Sequence, residues 1–203
     1  MNITHYIAPR QTGKTTKAIE IFHQFNSPKC YIVTQDNSRK QAIKNRFGIN
    51  SKQILLPNEK QFCGREVETL IIDEYLGTIK NKALFWHYVC PAIDPYNNRI
   101  FLLSTPNKKY TKEEIDNEPY LFLSNPHLNF TVNLNVIHTI RDPERHGFRR
   151  INRKTQELMR NFFLRQETFD CELLGLYMPD QNFDEISGFY IPKPKIFDPK
   201  SVV

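Results

Sequence analysis

Long apolar runs are missing from this sequence. The longest, such as Ile100-Phe101-Leu102-Leu103, fall far short of the roughly 20 residues that a membrane-spanning helix needs, so no span is expected. Met1-Asn2-Ile3-Thr4-His5 has neither the basic start nor the apolar run of a secretory signal, and a reducing cytosol is the expected setting. Cysteine is sparse and scattered: Cys30, Cys63, Cys90 and Cys171 stand singly, with no Cys-x-x-Cys pair. That spacing points away from a zinc site or a disulfide framework, and each cysteine reads as a small buried apolar residue. Glycine is also scarce, 7 in 203 residues, with no repeat and no Gly/Ser-rich tract to mark a linker. Acidic residues are outnumbered, 22 against 28 Lys and Arg for a net +6, which tilts the expected partner towards a polyanion. What remains is an ordinary globular composition, long enough for one well-cored domain.

The apolar pattern alternates between two periods. Ile3 to Ala8 reads as a short strand, and Gly13 onward as a helix, with Ala18, Ile19, Ile21, Phe22 and Phe25 at helical spacing. Cys30 to Val33 is β-rich, and Ser38 is positioned to cap a helix running through Phe47. Ile54-Leu55-Leu56 is a weak strand, Thr69 to Ile72 a strong one, Lys82 to Val89 a helix, and Arg99 to Leu103 another strong strand. Continuous apolar strands between helices imply an α/β fold with a mainly parallel sheet flanked by helices. Lys108 to Pro119 reads as loop and short helix, and Phe130 to Ile137 alternates as a half-exposed strand. Arg149 to Phe169 reads as an amphipathic helix, and the proline-bearing tail from Pro179 as extended. The expected division is one folded domain over 1–178 and a tail or linker over 179–203.

The most informative stretch is Ala8-Pro9-Arg10-Gln11-Thr12-Gly13-Lys14-Thr15-Thr16. It matches the phosphate-loop pattern G-x-x-x-x-G-K-[ST], except that Ala8 stands where the first glycine is expected. Gln11 to Thr16 form the expected cradle: Gly13 lets the backbone turn its N–H groups inward, Lys14 neutralises β- and γ-phosphates, and Thr15 offers a hydroxyl to Mg²⁺. Downstream, Leu70-Ile71-Ile72 ends in Asp73-Glu74. Carboxylates at the carboxyl end of a parallel strand lie where open α/β sheets bind ligands. Asp73 is then placed to hold Mg²⁺, and Glu74 to polarise an attacking water. The third element, Arg99 to Leu103 followed by Ser104-Thr105-Pro106-Asn107, offers Ser104 and Thr105 as sensors of the γ-phosphate. Such a strand, between those of the two nucleotide motifs, defines the additional-strand class of P-loop NTPase.

These residues resemble one family, the large terminase subunit of tailed bacteriophages and related viruses, the ATPase that drives DNA into the capsid. The resemblance rests on Arg10-Gln11-Thr12-Gly13-Lys14-Thr15-Thr16, on Leu70-Ile71-Ile72-Asp73-Glu74, on Leu103-Ser104-Thr105-Pro106-Asn107, which is similar to the coupling motif, and more loosely on Phe163 to Glu172. It implies ATP and Mg²⁺ as cofactors, double-stranded DNA and portal or capsid proteins as partners, a homo-oligomeric ring when active, and the cytoplasm of an infected host as the setting. It further implies Arg10 as the loop arginine that reaches the γ-phosphate, and a neighbour's arginine acting in trans, for which Arg65 is the candidate. Two departures stand out: only seven residues precede Ala8, where terminases carry an upstream adenine-contacting segment, and the chain ends soon after Leu176, where they continue into a nuclease. No cutting activity is expected.

Between Arg141 and Arg165 lie eight basic residues against three acidic ones, so this stretch holds five of the net six positive charges. Arg149, Arg150, Arg153 and Lys154 form a face suited to DNA phosphates, to a subunit interface, or to plain solvation. The leading expectation is a packaging ATPase without a nuclease. A helicase-like or other DNA-remodelling ATPase and a nucleotide-gated, non-motor DNA-binding or assembly factor stand beside it.

Overall fold

A computed structural model describes residues 1–106, 112–123, 131–139, 142–151 and 156. Asn107, Arg153, Lys154, most of the expected helix from Arg149, the Phe163 to Glu172 segment and the tail lie outside the described residues. Six strands form one sheet in the order β3-β2-β4-β5-β1-β6, and every pairing is parallel. They are β1 (Asn2–Ile7), β2 (Cys30–Val33), β3 (Ile54–Leu55), β4 (Thr69–Asp73), β5 (Arg99–Ser104) and β6 (Asn133–His138). The central β4 is buried along its whole length, whereas edge strand β6 alternates exposed asparagines with half-buried Leu134 and Val136. This is the burial that a parallel sheet covered on both faces requires of its middle and tolerates at its rim.

Parity along the strands sends side chains to two cores. On one face Ile3, Leu70, Ile72, Ile100 and Leu102 pack with Phe85, Trp86 and Val89 of α5 (Lys82–Val89). On the other, Ile32, Ile71 and Leu103 pack with Ala18, Ile19 and Phe22 of α1 (Lys14–Phe25) and Ile43 of α2 (Asn37–Phe47). Shorter helices α3 (Glu59–Phe62) and α4 (Tyr75–Thr78) follow β3 and β4. Among the described residues no helix is long and apolar enough to cross a membrane.

Three local readings change. Asp36 rather than Ser38 caps α2: its backbone is extended and its carboxylate accepts the Arg39 N–H, which places Ser38 inside the first turn. In the polar stretch before Pro119 the described residues, from Lys112, form a helix, α6 (Lys112–Leu123), that continues past the proline. Cys30 and Cys90 are buried, but Cys63 is exposed.

Register aligns the carboxyl ends of the middle strands. Ile7 of β1 pairs with Ser104 of β5, and Leu103 of β5 with Asp73 of β4. The strand carrying Ser104 thus lies between the strands leading to Lys14 and to Glu74.

Candidate active site

The loop from Ala8 to Gly13 begins as a continuation of β1. Ala8 is fully buried and its N–H donates to Ser104 O at 2.9 Å. It is not among the residues with positive φ, so the position needs no glycine. The turn is made further on, by Gln11 at φ 62° and Gly13 at φ 88°. Residues of left-handed backbone set among right-handed ones turn successive N–H groups into one concavity, the geometry that binds anions. Gly13 also starts α1 and offers no side-chain cap, which leaves the first N–H groups of that helix without an intrahelical acceptor.

Lys14 is buried at 5% exposure and folds back on its own loop. Its ammonium donates to Pro9 O at 2.8 Å and Ala8 O at 3.2 Å, and pairs with Glu74 Oε1 at 3.1 Å. Burial pushes the Lys14 ammonium below its ordinary value, an effect that the Glu74 carboxylate opposes. Beside it, the Thr15 hydroxyl donates to Asp73 Oδ2 at 2.8 Å. Burial pushes Asp73 above the usual carboxylate range, partly countered by the Thr15 hydrogen bond and reinforced by the neighbouring charge of Glu74. The other oxygen, Asp73 Oδ1, is buried and has no hydrogen-bond partner among the described residues. An orphaned carboxylate oxygen next to a threonine hydroxyl is the hard-oxygen donor set that suits Mg²⁺, which takes one or two protein oxygens and completes its shell with phosphate and water.

Glu74 is held by strain as well as by partners. Its φ of 55° is left-handed, unusual for a side-chain-bearing residue and worth roughly 1–3 kcal/mol of cost. The kink starts α4, whose Thr78 N–H donates to Glu74 O at 2.7 Å, and it turns the carboxylate back over the sheet. There the Thr105 hydroxyl donates to Glu74 at 2.8 and 2.9 Å, and the Thr105 N–H reaches Oε2 at 3.2 Å. Lys14, Thr15, Asp73, Glu74 and Thr105 therefore form one connected group. Ser104 is turned the other way: it is fully buried and its Oγ lies 2.7 Å from His5 Nε2.

No protein-family model and no curated protein sequence matches the chain. Among solved structures it is similar to the large terminase from a thermophilic bacteriophage in complex with ADP, with a TM-score of 0.52 at 10% identity, over 85% of this chain. The chain spans 47% of that terminase's length. The fold is that of a P-loop NTPase. Its strand order, with β5 between β1 and β4, is the additional-strand arrangement.

The remaining sequence-selected residues fall at different distances from the P-loop group. Thr12 is buried, its hydroxyl donating to Pro9 O at 2.8 Å, while Arg10 and Gln11 are exposed on the loop. Thr16 lies in the first turn of α1, half-buried. Arg65 is engaged by its own chain: Nε donates to Gln61 O, and the guanidinium sits 5.3 Å from the centre of the Tyr31 ring. Tyr31 pairs with Leu70, three residues before Asp73 along β4. Arg150 is exposed.

Arg149 is in a place its sequence did not indicate. Its backbone N–H donates to Thr12 O at 2.8 Å, within the P-loop itself. Neither periodicity nor charge signals that contact. The only sequence clue is Gly147-Phe148 ahead of it, a turn glycine followed by an aromatic residue.

Proposed function

We propose that this chain is an ATP-hydrolysing motor subunit that moves double-stranded viral DNA into a capsid. The single observation that carries the reading is the convergence of Lys14, Thr15, Asp73, Glu74 and Thr105 at the carboxyl ends of three neighbouring strands. Terminal phosphates fit the concavity of Gln11 to Thr16, where the amino end of α1 favours negative charge. Lys14 is already desolvated and exchanges its loop carbonyls and Glu74 for phosphate oxygens.

Thr15 and Asp73 would hold Mg²⁺, which when bound offsets phosphate charge. Glu74, once Lys14 turns to phosphate, accepts a proton from water aligned for attack on the γ-phosphate. Thr105 holds the Glu74 carboxylate in the resting state and releases it when a γ-phosphate competes for the same hydroxyl. Arg10, exposed on the loop, supplies charge to the transition state. Support for DNA translocation in particular comes from the terminase resemblance of the three motifs, the ADP-bound terminase of like fold, and the basic content from Arg141 to Arg165. The same reading carries ring assembly, a portal or capsid partner, and the cytoplasm of an infected cell.

The test is the ATPase rate with and without double-stranded DNA, across protein concentration, at two salt levels. Translocation predicts a rate that rises with DNA and with protein concentration, and a DNA effect that weakens with salt as phosphate contacts release counterions. ATP turnover that ignores DNA at every concentration favours the nucleotide-gated assembly factor instead.

A further inference from the structure

The turn before Arg149 is built to fix where that residue lies. Glu144–His146 form a single helical turn, closed by Gly147 in the left-handed region at φ 77°. A Cβ on Gly147 would come within 2.7 Å of Lys17 Nζ on α1, the far end of a long side chain that can move aside, so glycine is needed here for its left-handed backbone. Phe148 follows, its N–H bonded to Pro143 O at 2.9 Å. Its ring is 2% exposed, packs 5.5 Å from that of Tyr6, and belongs to the core beneath α1. The next N–H is the one that bonds Thr12 O. Two consecutive anchors, one apolar and one a backbone hydrogen bond, therefore pin Arg149 to the P-loop.

The stem of the side chain begins beside the P-loop. Arg149 Cγ lies 3.9 Å from the point where a Cβ on Gly13 would stand, and the residue remains exposed to solvent. Gly13 is the residue whose turn forms the concavity, so the arginine stem lies at its rim. A planar, permanently charged guanidinium carried on a stem at that rim is matched to phosphate oxygens, which such a group binds through paired N–H donors.

We propose that Arg149 is a nucleotide-binding residue, contributing its guanidinium to the phosphates of the nucleotide held by the Gln11 to Thr16 loop, rather than the first residue of a DNA-facing surface. The proposal rests on the nucleotide reading of that loop. It explains why a segment far along the chain, beyond β6, is tied to the P-loop by its backbone: an incoming nucleotide meets the charges of Lys14 and Arg10 from the loop and a further one from this turn.

The experiment compares wild type, Arg149→Ala and Arg149→Lys for ADP affinity by calorimetry, with double-stranded DNA affinity and the nucleotide-free unfolding midpoint measured on the same preparations. Truncation leaves the backbone N–H to Thr12 in place, so the unfolding midpoint is expected to hold. ADP affinity is expected to fall about 10- to 100-fold in Arg149→Ala and to recover in part in Arg149→Lys, with DNA affinity unaltered. ADP affinity in a folded Arg149→Ala within about twofold of wild type overturns this proposal and leaves the proposed function standing. A loss of DNA affinity with ADP binding intact assigns the residue to the DNA surface and likewise overturns it. Wild-type protein that binds no ADP overturns both.

Discussion

Two polar groups sit side by side at the carboxyl ends of β1, β4 and β5, and adjacent residues feed them alternately. Glu74 and Thr105 belong to the first, with Lys14, Thr15 and Asp73. Their chain neighbours Tyr75 and Ser104 belong to the second, with His5 and Trp86: Ser104 meets His5, the His5 ring stands edge-on to Tyr75 at 5.7 Å, and Trp86 Nε1 donates to the Tyr75 hydroxyl at 3.0 Å. The first group carries formal charge and a strained backbone at Glu74, while each group holds one buried polar atom without a hydrogen-bond partner among the described residues, Asp73 Oδ1 in the first and His5 Nδ1 in the second. The second is sealed, all four of its residues at 1% exposure or less. It is also uncharged, because burial, and secondarily the nearby His138, pushes His5 down to about 3. The difference teaches that polarity alone does not mark chemistry. One step along a strand or a turn decides whether a side chain meets ligand or fills core.

Breaking the first group hits nucleotide binding hardest. Lys14→Ala removes two or more charge-assisted contacts to phosphate and is expected to weaken ADP affinity by about 10²- to 10⁴-fold, measured by calorimetry. The unfolding midpoint should move little beside that loss.

The second group predicts a stability signature instead. Below about pH 6.5 the unfolded chain binds a proton at His5, while the folded chain stays neutral until about pH 3. The unfolded state thus holds the extra proton in that window, and stability falls as pH drops through it, by up to about 1.4 kcal/mol per pH unit from this residue. Chemical denaturation across pH 7 to 4 should show a shallower decline in His5→Gln. An unaltered slope would mean that His5 is not held neutral.

The smallest effects give the sharpest contrast, because Ser104 and Thr105 are neighbours. Ser104→Ala leaves His5 Nε2 without its partner and should cost about 1–3 kcal/mol of stability with little change in ATP turnover. Thr105→Val should do the reverse, altering turnover several-fold by freeing Glu74 while stability changes by less than about 1 kcal/mol. Equal behaviour of the two variants in both assays would erase the distinction between the groups.

Much of the fold was legible because its signals are local. The alternating periods of β1 and α1, the apolar run into Asp73-Glu74, and the strand into Ser104-Thr105 each declare an element within about ten residues. A parallel sheet followed from their sequence. The cap of α2 was misplaced by two residues because Asp36 and Ser38 are both good capping residues, and only backbone direction chooses between them. Within the site, residue types were readable and relations were not. Ser104 and Thr105 look alike as sensors, and strand parity together with His5, a distant residue in the chain, separates them. The left-handed turn at Glu74 and the Arg149 contact with Thr12 depend on packing between segments far apart in sequence, which no short window holds.

The central claim is that the charged group at the sheet's end hydrolyses ATP, with Glu74 acting on water. The most direct measurement is phosphate release from ATP by wild type and Glu74→Gln with Mg²⁺ and double-stranded DNA, over a range of protein concentration, alongside ATP affinity. Wild-type turnover, a fall of about 10²- to 10⁴-fold in the variant, and ATP affinity maintained in both is the predicted result. Turnover by Glu74→Gln at the wild-type rate, or no turnover by wild type at any concentration, would contradict the account.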